Sequence, residues 1–191
     1  MNAASISARN APERIHYIDI ASVSPGHVGE VQEMAFSDAP SRARRIVKHG
    51  DIIWSSVRPN LRSFALVLNP VQNLIASTGF AVLSAKGVSY SYLYQIASGD
   101  EFTEHLVKRA RGSAYPAVNT EDFASYELFV PARAILQQFQ NIVDPQLLMT
   151  HTLEQKSRLL SKTRDHLLPK LISGQVDVSE LDIDVCGEAV I

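Results

Sequence analysis

Apolar and polar residues change rhythm once along this chain, close to Pro131. Before it the apolar runs are short. Ile15 to Ile20 alternates, with Ile15, Tyr17 and Asp19 on one side and His16, Ile18 and Ile20 on the other, the two-residue period of a strand. Asp51–Val57, Ser63–Asn69 and Gly79–Ala85 are β-rich runs bounded by Gly, Pro or Asn and predict three more strands. Tyr90–Ser98 places its apolar residues on one helical face, and Asp100 is positioned to cap a second helix, Glu101–Ala110, that Gly112 would end. Tyr126–Val130 predicts a closing strand that Pro131 stops. Strands at irregular spacing with helices between them indicate an α+β fold, a small bent β-rich domain with short helices, rather than a doubly wound sheet. No glycine-rich phosphate loop is present.

From Ala132 to Leu168 there is one proline and no glycine, and apolar residues recur at helical spacing. The series Ile135, Phe139, Ile142, Gln146, Met149, Leu153, Lys156, Leu160, Thr163, Leu167 runs in alternating steps of three and four residues. Seven of its ten members are apolar, which is the seam of a long coiled-coil-forming helix rather than the broader stripe of a globular one. Pro145 is expected to kink or break it, with Asp144 capping the restarted half. Leu168-Pro169 is expected to end it, with Gly174 just beyond. A straight helix over residues 134–168 would span roughly 52 Å, too long to bury its seam on the preceding domain, so self-association through a paired helix follows. The segment after it, 172–191, is acidic, lacks periodicity and is expected to be a flexible tail.

Composition narrows the class. At 191 residues, 46% hydrophobic and 20% charged, the chain is neither disordered nor fibrous. The single cysteine, Cys186, rules out a disulfide framework. No apolar run approaches the roughly 20 residues that cross a bilayer, and the opening lacks the apolar core of a secretory signal, so a soluble, cytoplasmic protein with no membrane partner is expected. The formal charge of −2 conceals an asymmetry: the last 19 residues carry five acids and no base, and Ser41–Arg62 carries six bases against Asp51 alone. Such local charge admits a nucleic-acid partner, although a merely solvated basic face fits it equally.

Catalytic chemistry is hard to find. The six histidines include no pair spaced for a zinc ion, and His151 with Glu154 reads as solvated decoration of the long helix. Cys186 lacks a fixed neighbourhood, the serines lack a nucleophile elbow, and no carboxylate cluster suits the Mg²⁺ of a nuclease. Catalytic and metal-binding residues are therefore expected to be none.

Two runs carry more information. Pro40–Arg62, PSRARRIVKHGDIIWSSVRPNLR, and Arg109–Asn119, RARGSAYPAVN, place Arg and Asn on loops beside strands, where arginine can read guanine and asparagine adenine, and lysine can seat phosphate. The candidate DNA contacts are Arg42, Arg44, Arg45, Lys48, Arg58, Asn60, Arg62, Arg109, Arg111 and Asn119. Each run alone is equally a structural turn.

Taken in order, the basic stretch, the GDI strand, the RPN loop, Ser77-Thr78-Gly79-Phe80, the YLY helix, RGSAYPAVN, FVP, the glutamine-bearing helix and RDHLLPKLISG resemble the DNA-specificity subunit of type I restriction-modification systems, from about Tyr17 to Gly174. That resemblance implies a target recognition domain over 1–131 and a spacer helix over 132–171. It implies a non-catalytic subunit that reads one half of a bipartite site in double-stranded DNA and directs the methyltransferase (M) and restriction (R) subunits. S-adenosylmethionine, ATP and Mg²⁺ would belong to those partners. Members of the family usually carry two recognition domains and two helices in one chain. With one of each and no leading strand before Tyr17, this sequence reads as a half-length form, natural or truncated. A homodimer through Ile135, Phe139, Ile142, Met149, Leu153, Leu160 and Leu167 would restore two reading heads. An adaptor without its own DNA binding, or an inactive remnant, is the alternative.

Overall fold

The computed structural model describes residues 1–176 apart from Ala3 and Ala8, and separates into a unit from Met1 to Leu147 and a second from Leu148 onward. Cys186 and the acidic residues of the expected tail lie outside the described residues.

Two sheets form the first unit. The four-stranded one has the order β4-β1-β8-β5, with β1 (Arg14–Ile18), β4 (Gln32–Ala35), β5 (Ala43–Ile46) and β8 (Leu74–Ser77). Its central pair, β1 and β8, is parallel, and both outer strands are antiparallel to their neighbours. The second sheet is antiparallel, with β6 (Ile52–Ser55) between β7 (Phe64–Leu66) and β9 (Phe80–Leu83). A two-stranded ribbon, β2 (Val23–Ser24) with β3 (His27–Val28), completes the β structure.

Alternation along β6 and its neighbours explains the layering. Ile53, Ala65, Val82 and Phe80 turn to one side and join Ile18, Leu74 and Ala76 of the other sheet in the central core. Ile52, Trp54, Phe64, Ala81 and Leu83 turn to the opposite side, against the helices. A third cluster, Ile15, Tyr17 and Ile75 with Ile6 and Ala43, covers the far face of the four-stranded sheet. Both faces of β6 and β8 are dry, so these strands read as short, nearly unbroken apolar runs, whereas β1 alternates, with Arg14 exposed and His16 half-buried. Trp54 is fully buried in the helix-facing core, its indole donating to the Ala97 carbonyl at 3.0 Å and its rings meeting Phe64, Phe102 and Phe123.

Helix α1 (Tyr90–Ser98) begins at Ser89, whose hydroxyl accepts from the Tyr92 amide at 3.2 Å. Helix α2 (Asp100–Arg109) corrects one expectation: Asp100 is its first residue rather than its cap, and its carboxylate accepts from Arg62. A second correction concerns Tyr126–Val130, which pairs with no strand. The strands that sequence periodicity did not show are the short runs β4, β5 and β8. A further helix, α3 (Thr120–Ala124), follows Asn119.

The long helix α4 runs unbroken from Arg133 to Ile172. Pro145 neither breaks it nor restarts it, and Asp144 is interior to it rather than a cap. Asp144 instead faces Tyr90, whose hydroxyl pKa is raised by burial and then by the Asp144 charge and hydrogen bond. Pro169 is also accommodated, since proline's fixed φ is itself helical. The stop comes at Gly174, at φ 72°, with the Gly174 amide bonding the Leu171 carbonyl and the Gln175 amide that of Lys170, a left-handed glycine closure of the last turn. No residue of α4 is buried. Ile135, Ile142, Met149, Leu153, Leu160 and Leu167 are all exposed. Phe139 differs, since its ring lies edge-on to Tyr92 of the same chain at 5.8 Å. No described helix is long and apolar enough to cross a membrane.

Candidate nucleic-acid interface

Four segments far apart in sequence are stitched side by side by backbone hydrogen bonds at one end of the second sheet. The Thr78 amide donates to the Arg42 carbonyl (2.7 Å), and the Ser56 amide donates to that of Gly79 (2.8 Å). The Val118 amide donates to Ser56 (2.9 Å), and the Arg58 amide donates to Pro116 (2.7 Å). The row therefore runs 42, 78–79, 56–58, 116–118. It unites the basic run, the Ser-Thr-Gly-Phe motif, the RPN loop and the RGSAYPAVN loop. Exposed Arg42, Thr78, Arg58, Arg111 and Tyr115 all stand on it.

Local sequence explains each turn. Ser55 and Ser77 end their strands buried, and their hydroxyls accept from the amides two residues on, Val57 and Gly79, each at 3.2 Å. Gly79 leaves room for Ile20, since a Cβ there would lie 2.3 Å from the Ile20 Cδ1 and push the end of that side chain aside. In the second loop the Arg111 and Ala117 backbones exchange two hydrogen bonds of 2.9 Å, closing residues 112–116 into a tight excursion that Gly112 enters at φ 100°. The RPN segment is a single 3-10 turn, Pro59–Leu61, flanked by Arg58 and Arg62, both in the left-handed region.

The side chains divide by how they are held. Arg58 lies over the Tyr115 ring, 4.6 Å from its centroid, and reaches the Ala114 carbonyl at 3.4 Å, without a carboxylate partner among the described residues. Arg111 is mostly exposed and lies 3.6 Å from the Asp122 carboxylate. Arg42 is ion-paired with Asp19 and also donates to the Tyr17 hydroxyl at 3.0 Å. Burial pushes the Asp19 carboxyl up, but hydrogen bonds from Arg42 and the Ala21 amide, with the Arg42 charge, outweigh it and hold its pKa below the ordinary value. Arg62 donates at 2.5 Å to both Asp100 and the Ser98 carbonyl, bolting the turn to the α1–α2 junction.

Asn119 takes a structural part: its carboxamide oxygen accepts from the Asp122 amide at 2.9 Å, and the Asp122 carboxylate accepts from the Asn119 amide at 2.9 Å. That reciprocal box starts α3. Asn60 stands exposed at the tip of the 3-10 turn. The remaining sequence candidates lie off the row's tip. Arg44 and Arg45 continue along β5, Arg44 over the Phe36 ring and Arg45 with its Nε buried and unpartnered among the described residues. Lys48 precedes β6 at its opposite end, and Arg109 closes α2.

Sequence reasoning placed Tyr115 on the second loop but missed Asp19 and Thr78 as parts of this surface. Thr78 had a signal, the motif that contains it; the pairing of Asp19 with Arg42 had none. Among the described residues no group of His, Cys, Asp and Glu is placed to hold a metal ion.

No family model matches the chain. Curated relatives are more informative. The specificity subunit of the type I restriction enzyme HindI from Haemophilus influenzae is 25% identical over 165 residues, covering 81% of this chain and 36% of that protein. That of MjaIX from Methanocaldococcus jannaschii is 22% identical over 187 residues, covering 92% and 42%. Among solved structures, the HsdS subunit from Thermoanaerobacter tengcongensis superposes with a TM-score of 0.62 at 25% identity, covering 95% of this chain and 50% of that one. A chain from the type I R-M system superposes similarly, with a TM-score of 0.61 and the same coverage. This chain thus spans half or less of the length of the proteins it matches. The resemblance read from the sequence and the α+β domain followed by a long helix are both found in these specificity subunits.

Proposed function

We propose that this chain is a non-catalytic DNA-specificity subunit of a type I restriction-modification system, in the half-length form, with residues 1–131 as its target recognition domain, 132–171 as its spacer helix and 172–191 as a tail. One observation carries the reading. The two loops singled out by sequence, RPNLR and RGSAYPAVN, meet through the Arg58–Pro116 hydrogen bond and present Arg58, Asn60, Arg111 and Tyr115 together, in a chain similar over nearly its whole length to named specificity subunits. In this role the row reads one half of a bipartite site in double-stranded DNA. Methyltransferase and restriction subunits dock on the assembled protein and bring S-adenosylmethionine, ATP and Mg²⁺. The work is cytoplasmic. Two copies pair through the exposed seam of α4, in which Leu153 and Leu160 are the central apolar positions and Phe139 acts at the margin, already leaning on Tyr92.

Selection of a preferred duplex from a random pool by the purified chain, followed by anisotropy titration, tests the reading. If about four phosphates are neutralised, raising salt from 50 to 200 mM lowers affinity about 100-fold. Arg58→Ala is expected to weaken binding by about 5- to 100-fold. An affinity insensitive to salt, or no selected sequence, refutes it. For the dimer, sedimentation is expected to give twice the 21.0 kDa chain mass at micromolar concentration, and Leu153→Glu or Leu160→Glu the single mass. A wild-type chain that stays monomeric refutes the paired helices.

A further inference from the structure

The turn Pro59–Leu61 is held far more firmly than an exposed connection needs. Arg58 and Arg62 at its two ends occupy the left-handed region at φ 49° and 55° without being glycine, a conformation that persists in L-residues only where the surroundings over-determine it. The surroundings here do so. Pro59 is fully buried. The Leu61 amide bonds the Arg58 carbonyl at 2.9 Å, the Arg62 amide bonds Pro59 at 3.0 Å, and the Arg58 amide is pinned to Pro116 at 2.7 Å. The Arg62 side chain is anchored twice on the α1–α2 junction. Two residues are left at the tip. Asn60 makes no side-chain hydrogen bond among the described residues, and Leu61 is 55% exposed.

A lone exposed leucine is ordinary. One carried on an immobilised tip, beside an unpaired asparagine and between arginines and a tyrosine, is placed for a different use. Rigid presentation matters where a contact discriminates by one methyl group, and in the major groove the C5-methyl of thymine is the apolar mark that such a side chain can read. The adjacent carboxamide is the group that bonds adenine N6 and N7 in the same groove. The basic neighbours, Arg58 and Arg111, suit a polyanion better than the apolar surround of a protein contact.

We propose that Leu61 is a specificity-determining residue that reads a thymine methyl, with Asn60 beside it on a neighbouring adenine, so that the tip recognises an A·T-containing step. The inference rests on the DNA-reading role above, and its test separates the two. On the duplex selected by the purified chain, each thymine is replaced in turn by deoxyuridine, which lacks only that methyl, and affinity is measured for the wild type and for Leu61→Ala. The wild type is expected to lose about three- to five-fold at one or two thymines, the worth of one buried methyl. Leu61→Ala is expected to bind thymine and uracil alike at those positions with its salt dependence unchanged. Selective binding by the wild type with no uracil effect, or an effect that persists in Leu61→Ala, overturns the assignment of Leu61 and leaves the DNA-reading role standing. Absence of any DNA binding by the wild type overturns both. A Leu61→Ala variant that reads DNA as the wild type does but no longer co-purifies with a methyltransferase subunit overturns the assignment in favour of a protein contact.

Discussion

Asp122 ties the RGSAYPAVN loop to the core, and removing it exposes how much of the candidate site depends on one carboxylate. It is 7% exposed. It accepts the Asn119 amide at 2.9 Å, stands in the first turn of α3, and lies 3.6 Å from the Arg111 guanidinium. Asp122→Ala deletes a hydrogen bond to a charged acceptor, worth about 1.5–3 kcal/mol. It also removes a favourable charge at a helix N-terminus, about 0.3–1 kcal/mol. The Arg111 pair adds little, because that guanidinium is mostly in water and such pairs are worth about 0–1 kcal/mol. Relief from desolvating a nearly buried carboxylate offsets part of the sum, so a net loss of about 2 kcal/mol is expected. With a urea m-value of about 2 kcal/mol/M, the unfolding midpoint falls by about 1 M. Asp122→Asn keeps an acceptor for Asn119 but loses the charge, and should fall by about half as much. Urea unfolding followed by Trp54 fluorescence reports on the right place, because Phe123 of α3 packs against that indole at 6.0 Å. A midpoint for Asp122→Ala within 0.2 M of the wild type, at equal m-value, refutes the view that the capping box holds the loop.

Two further outcomes follow from the same structure. Asp19 has a pKa lowered in the folded state, so its contribution is present above the unfolded carboxylate value of about 3.9 and is lost as pH falls through the lower folded value. The stability gap between wild type and Asp19→Asn is expected to be open at pH 7 and to close toward pH 2 in thermal unfolding, and a gap independent of pH refutes the Arg42 pairing as its source. Pro145 lies inside a continuous helix, and since proline is about 3 kcal/mol worse than alanine in a helix interior, Pro145→Ala should raise helicity by circular dichroism and stability by about 1–3 kcal/mol. Loss of helicity would show that the proline is needed where it stands.

How much of this was legible in the residues depends on how local the cause is. Strands β1, β6, β7 and β9 and helix α1 were readable because periodicity and bounding turns lie within the segment itself. The outer strands β4 and β5 were not: β5 is the basic lead-in Ala43-Arg44-Arg45-Ile46, and its pairing with β8 makes a strand of it. Tyr126–Val130 shows the converse, a β-rich string that finds no edge to pair with. Helix α4 was legible in extent, yet its two prolines misled, because a helix of 40 residues absorbs the loss of individual hydrogen bonds that would end a short one.

The candidate site divides along the same line. Arg58 and Arg111 were visible as residues of distinctive loops, but whether an arginine is available to a ligand is decided by what faces it from elsewhere in the fold. Arg42 and Arg62 look no different from Arg58 in sequence, yet Asp19 neutralises the first from 23 residues away and Asp100 the second from 38. The net effect is a division of labour among like residues: paired arginines fix the shape of the row, and the unpaired one, stacked on Tyr115, supplies free charge. Formal charge along the sequence therefore overstates the electrostatic pull of Ser41–Arg62. It also understates the geometric precision of that segment, which the Arg42–Asp19 and Arg62–Asp100 pairs impose.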